Sequence, residues 1–269
     1  MSGQKRYTLF EMMVIAAARE IRDGETVFAG IGLPVLATAV AQKTHAPNAC
    51  IIFESGGMKR GTPTTLPVTV DDFGCFSGAD VAQGMYASMA ALGRGEIDVT
   101  FIGGAQVDKY GNVNSTVIGY IDKPETIKVI LPGSGGACPM GCLGKRTIII
   151  MPHEKRRLVE KLYHITTPGW LWGPGAREEV GLPPDRGPSC IITTMGILRF
   201  DPETKEAYLD AVYEGVSVEE VKANTGWDLK VAPEVKVVPP PTDEELKALR
   251  ETDPARIYYP PGQLPPGES

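Results

Sequence analysis

At 269 residues, 42% apolar and 22% charged, the chain has the composition of an ordinary soluble protein and can bury the core of one large α/β domain or two smaller ones. Its net charge of −6 and pI near 5.3 argue against sequence-independent nucleic-acid binding, which needs a basic face. No apolar run nears the roughly 20 residues of a membrane span, the start lacks the apolar core of a signal peptide, and five scattered cysteines (Cys50, Cys75, Cys138, Cys142, Cys190) read as reduced thiols of a cytoplasmic protein.

Thr8 and Glu11 have capping-box spacing ahead of Met12–Ala18, which predicts a first helix to about Ile21, closed by Asp23-Gly24. Thr26–Ala29 reads as a short strand, Gly30–Pro34 as the loop after it, and Val35 to about Gln42 as a second helix with Pro34 in its first turn. Ala46-Pro47-Asn48 then turns the chain into a strand ending at Phe53, completing a βαβ unit. Met58–Asp72, with Pro63 and Pro67, reads as irregular, and Ala79–Leu92 as a helix. Further strands are expected at Asp98–Ile102, Thr126–Leu131 and Thr147–Met151, the last buried on both faces. Tyr110–Asn114 is turn chemistry. Thr167–Pro188, rich in Pro and Gly with Trp170 and Trp172, reads as a shaped loop at an interface or lid. Cys190–Thr194 is a strand, Gly196–Phe200 and Ala207–Tyr213 a hairpin, and Ser217/Glu220 and Thr242/Glu245 cap two more helices. The Pro-rich tail from Asp253 is expected to gain structure only against a partner. The fold class is α/β: an open, mostly parallel sheet flanked by helices, with a C-terminal hairpin and tail.

Three predicted strands end in paired glycines, at Gly56-Gly57, Gly103-Gly104 and Gly135-Gly136. Such loops are tight turns or places where backbone approaches a ligand and offers N–H donors. The first also carries Glu54 at the carboxyl end of a strand, the edge where ligands collect in open α/β sheets. Gly30-x-Gly32 with Glu54 about 20 residues on imitates a dinucleotide fingerprint. It fails at Val35, where the third glycine belongs, and Pro34 stiffens the loop. Cys138 and Cys142 with His153 make a poor zinc set, since structural sites want four placed ligands. His153-Glu154-Lys155-Arg156-Arg157 is a solvated helix start or a phosphate patch. No Gly-x-Ser-x-Gly occurs. A carboxylate among glycine loops suits nucleophilic catalysis. A glutamate, with an ordinary pKa of roughly 4.3, is ionised at neutral pH without a partner base. It can attack a thioester carbonyl, and backbone N–H groups at Ser134–Ala137 are available to meet the oxyanion.

Phe53-Glu54-Ser55-Gly56, the run Phe101–Thr116, Gly133–Ala137, His153–Arg157, Thr167–Trp170 and Asn224-Thr225-Gly226 resemble the β subunits of the family I CoA-transferases, those of the glutaconate type above all. The resemblance spans about residues 8 to 235 and implies the CoA-transferase (NagB-like) fold over 1–235, followed by a C-terminal helix and Pro-rich tail over 236–269. It implies a heterotetramer or hetero-octamer with a homologous α subunit, the site lying between them, and no cofactor, coenzyme A being a substrate. It also implies a ping-pong reaction through a covalent glutamyl-CoA thioester on Glu54, with Gly136 as oxyanion donor. Ser55, Gly56, Gly103, Gly104, Gln106, Gly135 and Ala137 are the expected substrate- and CoA-binding residues. The carboxylic acid is expected to be a dicarboxylate, as in the glutaconate type. Gly57-Met58-Lys59-Arg60 is more basic than the family pattern: Lys59 or Arg60 either pairs with the distal carboxylate or sits in solvent. The alternatives are an acyl-CoA hydrolase or decarboxylase on the same scaffold, a nucleotide-binding oxidoreductase, or a scaffold for the α partner.

Overall fold

The computed structural model describes residues 6–62 and 65–267; Pro63, in the stretch read as irregular, and the end of the tail lie outside them. The first βαβ unit forms as expected. Helix α1 (Leu9–Ala18) carries its Thr8/Glu11 capping box, β1 (Thr26–Ala29) leads to α2 (Leu33–Lys43), and β2 (Cys50–Ile52) pairs parallel with β1. The next stretch corrects the sequence reading. β3 (Gly57–Arg60) folds straight back antiparallel to β2, and β4 (Val81–Ala82) adds to β3, so α3 spans only Met85–Gly93. Gly-Met-Lys-Arg has no strand signal of its own; it becomes a strand because the open edge of β2 offers backbone groups that need partners.

β5 (Val99–Ile102) lies on the other side of β1. Beyond it stand two ribbons outside the main sheet: β6 (Gln106–Val107) with β7 (Val113–Asn114), and β8 (Val117–Ile118) with β9 (Val129–Ile130). The strand expected over Thr126–Leu131 therefore shrinks to two residues in a ribbon, with Thr126 in a 3-10 turn. It cannot join the sheet beside β5, where β1 and the later β10 occupy both flanks.

The chain continues through α4 (Ala137–Leu143), β10 (Arg146–Met151), α5 (Ala176–Glu179) and β11 (Gly187–Thr193). The expected hairpin follows as β12 (Gly196–Phe200) and β13 (Ala207–Val212), then α6 (Val218–Ala223), β14 (Lys230–Val237) and α7 (Asp243–Thr252). The ten strands run β14-β13-β12-β11-β10-β5-β1-β2-β3-β4, with β11 through β2 parallel, antiparallel pairs on both sides of them, and β14 parallel to β13 at the far edge. β14 was not expected. Pro233 lies within it, which is tolerated because β14 is an edge strand whose pairing shifts register there.

Alternation along the central strands feeds two cores. Val27, Ile51, Phe101, Ile148 and Ile150 pack with α1, α2 and α7 on one face. Phe28, Ile52, Ile102, Ile149 and Met151 pack with Leu92, Met140 and Val221 on the other. The Thr167–Pro188 loop is a packed structural segment: buried Arg177 donates to the carbonyls of Gly141, Cys142, Gly169 and Pro183. The tail also departs from expectation. Tyr259 packs on Phe10 at 4.7 Å, Tyr258 OH donates to Pro67 O, and Asp253 accepts from the N–H groups of Ile257 and Tyr258. Its aromatic residues dock on the α1 face of its own chain.

Candidate active site

Glu54 sits at the tip of the hairpin between β2 and β3. Phe53 N–H donates to Gly57 O (2.9 Å) and Gly56 N–H returns to Phe53 O (3.0 Å), so the chain reverses within four residues. Gly56 is required here: its φ is +105°, and a Cβ would stand 2.3 Å from Gln83 O. The tight turn leaves Glu54 and Ser55 half-buried at the apex, just past the carboxyl end of β2. Ser55 Oγ is shielded from solvent beside the Cys75 thiol, whose pKa burial pushes up.

The loop before α4 reaches Glu54 from far along the chain. A Cβ on Gly136 would lie 3.1 Å from Glu54 Oε2, and one on Gly135 3.5 Å from both carboxylate oxygens, so the carboxylate rests against this backbone. Among the described residues no acceptor takes the Gly135 or Gly136 N–H, whereas Ala137 N–H is already bonded to Ser134 O (2.8 Å). The loop is anchored from behind. Gly133 N–H donates to Ser115 O, Ser115 Oγ to Gly133 O, and Ser115 N–H to Thr166 Oγ1, each at 2.9 Å.

Other predicted residues fall in different places. Gly103 is exposed after β5, while Gly104 packs against Val113. Gln106 is buried in the β6–β7 ribbon, with Oε1 accepting from Asn114 Nδ2 (3.0 Å). The register of β3 pairs Lys59 with Ile51 and Arg60 with Cys50, which leads both away from the Glu54 apex, and Lys59 Nζ donates to Ser77 O (3.3 Å). His153–Arg157 forms a turn rather than a helix start, with Arg156 and Arg157 paired to Glu154. His153 is buried with its ring nitrogens on Thr193 Oγ1 (2.9 Å) and Thr225 Oγ1 (3.1 Å), and burial lowers its pKa to about 4. Gly32 is the N-cap of α2. A cavity of about 570 Å³ beside β14, lined by Tyr208, Asp210 and Lys230 among others, holds none of the predicted site residues.

Two residues at Glu54 escaped sequence reasoning. Ser88 Oγ lies 2.7 Å from Glu54 O, and Met89 Cε would be 2.7 Å from a Cβ on Gly136. Both sit in a run of small residues and methionines that marks a helix and nothing more.

A carboxylate at a strand end, laid on a turn with free N–H groups, is equipped for acyl transfer. Residues 10–224 match the family described as coenzyme A transferase. The chain belongs to the coenzyme A transferase family, as a β subunit of the family I type. It is 40% identical to the β subunit of the glutaconate CoA-transferase of Acidaminococcus fermentans, over 96% of this chain and 97% of that one. It is 41% identical to the β subunit of the 3-oxoadipate CoA-transferase of Pseudomonas knackmussii, over 91% and 92% of the two chains. The crystal structure of glutaconate coenzyme A-transferase from Acidaminococcus fermentans superposes with a TM-score of 0.86 at 38% identity, covering 94% of this chain and 97% of that one. That of the decarboxylase AibA/AibB superposes at 0.77 with 27% identity, covering 93% and 97%.

Proposed function

We propose that this β subunit works with a homologous α subunit to move CoA between an acyl-CoA and a carboxylic acid, with Glu54 as nucleophile. The observation that carries the reading is the Glu54 carboxylate resting on the Gly135–Gly136 turn, whose N–H groups have no other partner among the described residues. In the first step a Glu54 oxygen attacks the thioester carbonyl, and the CoA thiolate leaves to give an acyl-glutamyl anhydride. The thiolate then attacks the glutamyl carbonyl, releasing the first acid and forming the glutamyl-CoA thioester. The second acid's carboxylate displaces the thiolate from that thioester, making a second anhydride. Thiolate attack on its acyl carbonyl releases the new acyl-CoA and restores Glu54. No net proton or electron is exchanged, so the chemistry needs no base or cofactor beyond CoA as substrate. The oxyanions call for donors, and the free N–H groups of Gly135 and Gly136 suit that task better than Ala137, whose N–H is committed to Ser134.

The acid is a dicarboxylate in this reading, as glutaconate and 3-oxoadipate are in the names of the two relatives. Because β3 leads Lys59 and Arg60 away from Glu54, we assign the distal carboxylate's partner to the α subunit. Five free thiols suit a reducing, cytoplasmic setting. The likeness to a decarboxylase favours that activity as the second reading. Incubating the α–β complex with an acyl-CoA, trapping with hydroxylamine or borohydride, and mapping peptides by mass separates them. Modification at Glu54 is expected. Unmodified Glu54 during turnover, or release of free CoA or CO₂ without an acceptor acid, sinks the transferase reading.

A further inference from the structure

We infer that Ser88 is a positioning residue for Glu54, and that α3 acts as the spacer between nucleophile and oxyanion donors. The inference rests on the proposed role of Glu54. At the apex of the β2–β3 turn, Phe53 and Gly56 are held by backbone bonds, and Gly56 O also accepts from Gln83 N–H (3.1 Å). The Glu54 carbonyl takes part in none of these. Its partner is the hydroxyl of Ser88, 2.7 Å away and shared with Met85 O at 2.8 Å.

Ser88 is 3% exposed, on a helix whose first turn is open to solvent: Met85 is 56% and Tyr86 88% exposed. Ser88 lies on the buried face of α3 with Ala91 and Leu92, and there its hydroxyl meets the Glu54 carbonyl. The next residue, Met89, reaches the opposite wall, its Cε lying where a Cβ on Gly136 would collide. Consecutive residues of one rigid turn thus touch the main chain of Glu54 and the Gly135–Gly136 loop. Among the described residues the two loops share no backbone bond, so α3 bridges them from one side while Ser115 holds the second loop from behind. Displacing a reacting group by about 1 Å can cost on the order of 10²-fold in rate. Removing the hydroxyl frees the Glu54 carbonyl without altering the carboxylate, so the loss belongs in the chemical step and not in CoA binding.

The test uses the assembled α–β enzyme with Ser88→Ala and Ser88→Cys, the latter nearly isosteric with a weaker donor. Single-turnover formation of the Glu54 adduct from an acyl-CoA is followed by quenched-flow peptide mass spectrometry, beside KM for the acyl-CoA and Tm. Adduct formation should slow by about 10- to 100-fold in Ser88→Ala, less in Ser88→Cys, with KM changed less than about twofold and Tm close to wild type. Wild-type adduct rates in Ser88→Ala overturn the inference while leaving Glu54 as nucleophile. So does a rate loss matched by a rise in KM or by loss of folded protein. If Ser88→Ala does not assemble, Ser88→Cys decides, and an unslowed adduct rate in it overturns the inference. An actively turning-over wild-type enzyme with no Glu54 adduct removes the catalytic reading itself, and shows before any variant is made.

Discussion

Around α1 and α7, buried Glu11 accepts from Thr8 N–H, from the Arg250 guanidinium and from Tyr259 OH, while Arg19 bridges Glu245 and the carbonyls of Pro239 and Pro240. Segments more than two hundred residues apart are closed into one face with their polar groups paired. At the Glu54 edge the opposite holds. Gly135 and Gly136 keep N–H groups without acceptors among the described residues, and apolar side chains project outward from α3 and β9, Ile130 at 81% exposure. Both regions come from one sheet and one chain. The first is finished by folding, whereas the second is finished by what binds it: in our proposal, substrate and the α subunit.

Substitutions in each region should separate the two roles. The largest effect is expected from Glu54→Gln, which removes the nucleophile: transfer by the assembled enzyme should fall on the order of 10⁴-fold or more, with Tm unchanged. Gly136→Ala places a methyl against Glu54 Oε2 and Met89, and turnover should fall about 10²–10³-fold, the cost of disturbing one oxyanion donor. Glu11→Ala acts on the other region. It leaves Arg250 and Tyr259 OH without their carboxylate, so a stability loss of about 3 kcal/mol is expected in denaturant melts, with the turnover of the folded enzyme unaltered. A comparable loss of stability in Glu54→Gln would erase the contrast between the two regions.

The smallest effect concerns pH. His153 has its pKa lowered to about 4 by burial, below the ordinary 6.5. A lowered folded-state value contributes stability that is present above pH 6.5 and lost as pH falls through about 4. Asp108 runs the other way: burial raises its carboxyl from 3.8 to about 6, so its contribution is present below 3.8 and lost as pH rises through about 6. The two slopes oppose between about pH 4 and 6. His153→Gln should flatten the acid loss and leave the Asp108 slope, so its melts at about pH 4.5 should gain relative to about pH 7 when compared with wild type. An unchanged ratio would place the acid sensitivity elsewhere.

What could be read in advance was local. The capping boxes at Thr8, Ser217 and Thr242 were recognisable because the bonds they make span three residues. The buried run of β10 was recognisable because its apolar side chains serve both faces of a parallel sheet. β3, β4 and β14 were not. Their strand character comes from the neighbour they pair with, and Met58-Lys59-Arg60 or a strand containing Pro233 carries little propensity of its own. Ser88 was invisible for a related reason: nothing in a run of Ala, Ser and Met says which hydroxyl will meet a carbonyl 34 residues earlier.

The class of the protein is legible in runs of adjacent residues. Glu54 follows an apolar strand, with two glycines just beyond Ser55, and those adjacent residues are enough to put a carboxylate on a turn at the strand's carboxyl end. What that carboxylate meets depends on how the sheet is assembled. It rests on Gly135 and Gly136 because β2 and the loop before α4 converge at the same edge of the sheet. The same convergence separates Gly136 from Ala137, since hydrogen bonding leaves one N–H free and closes the other. Adjacent residues constrain a turn through a few dihedral angles, whereas contacts between distant segments exist only once the sheet order is fixed.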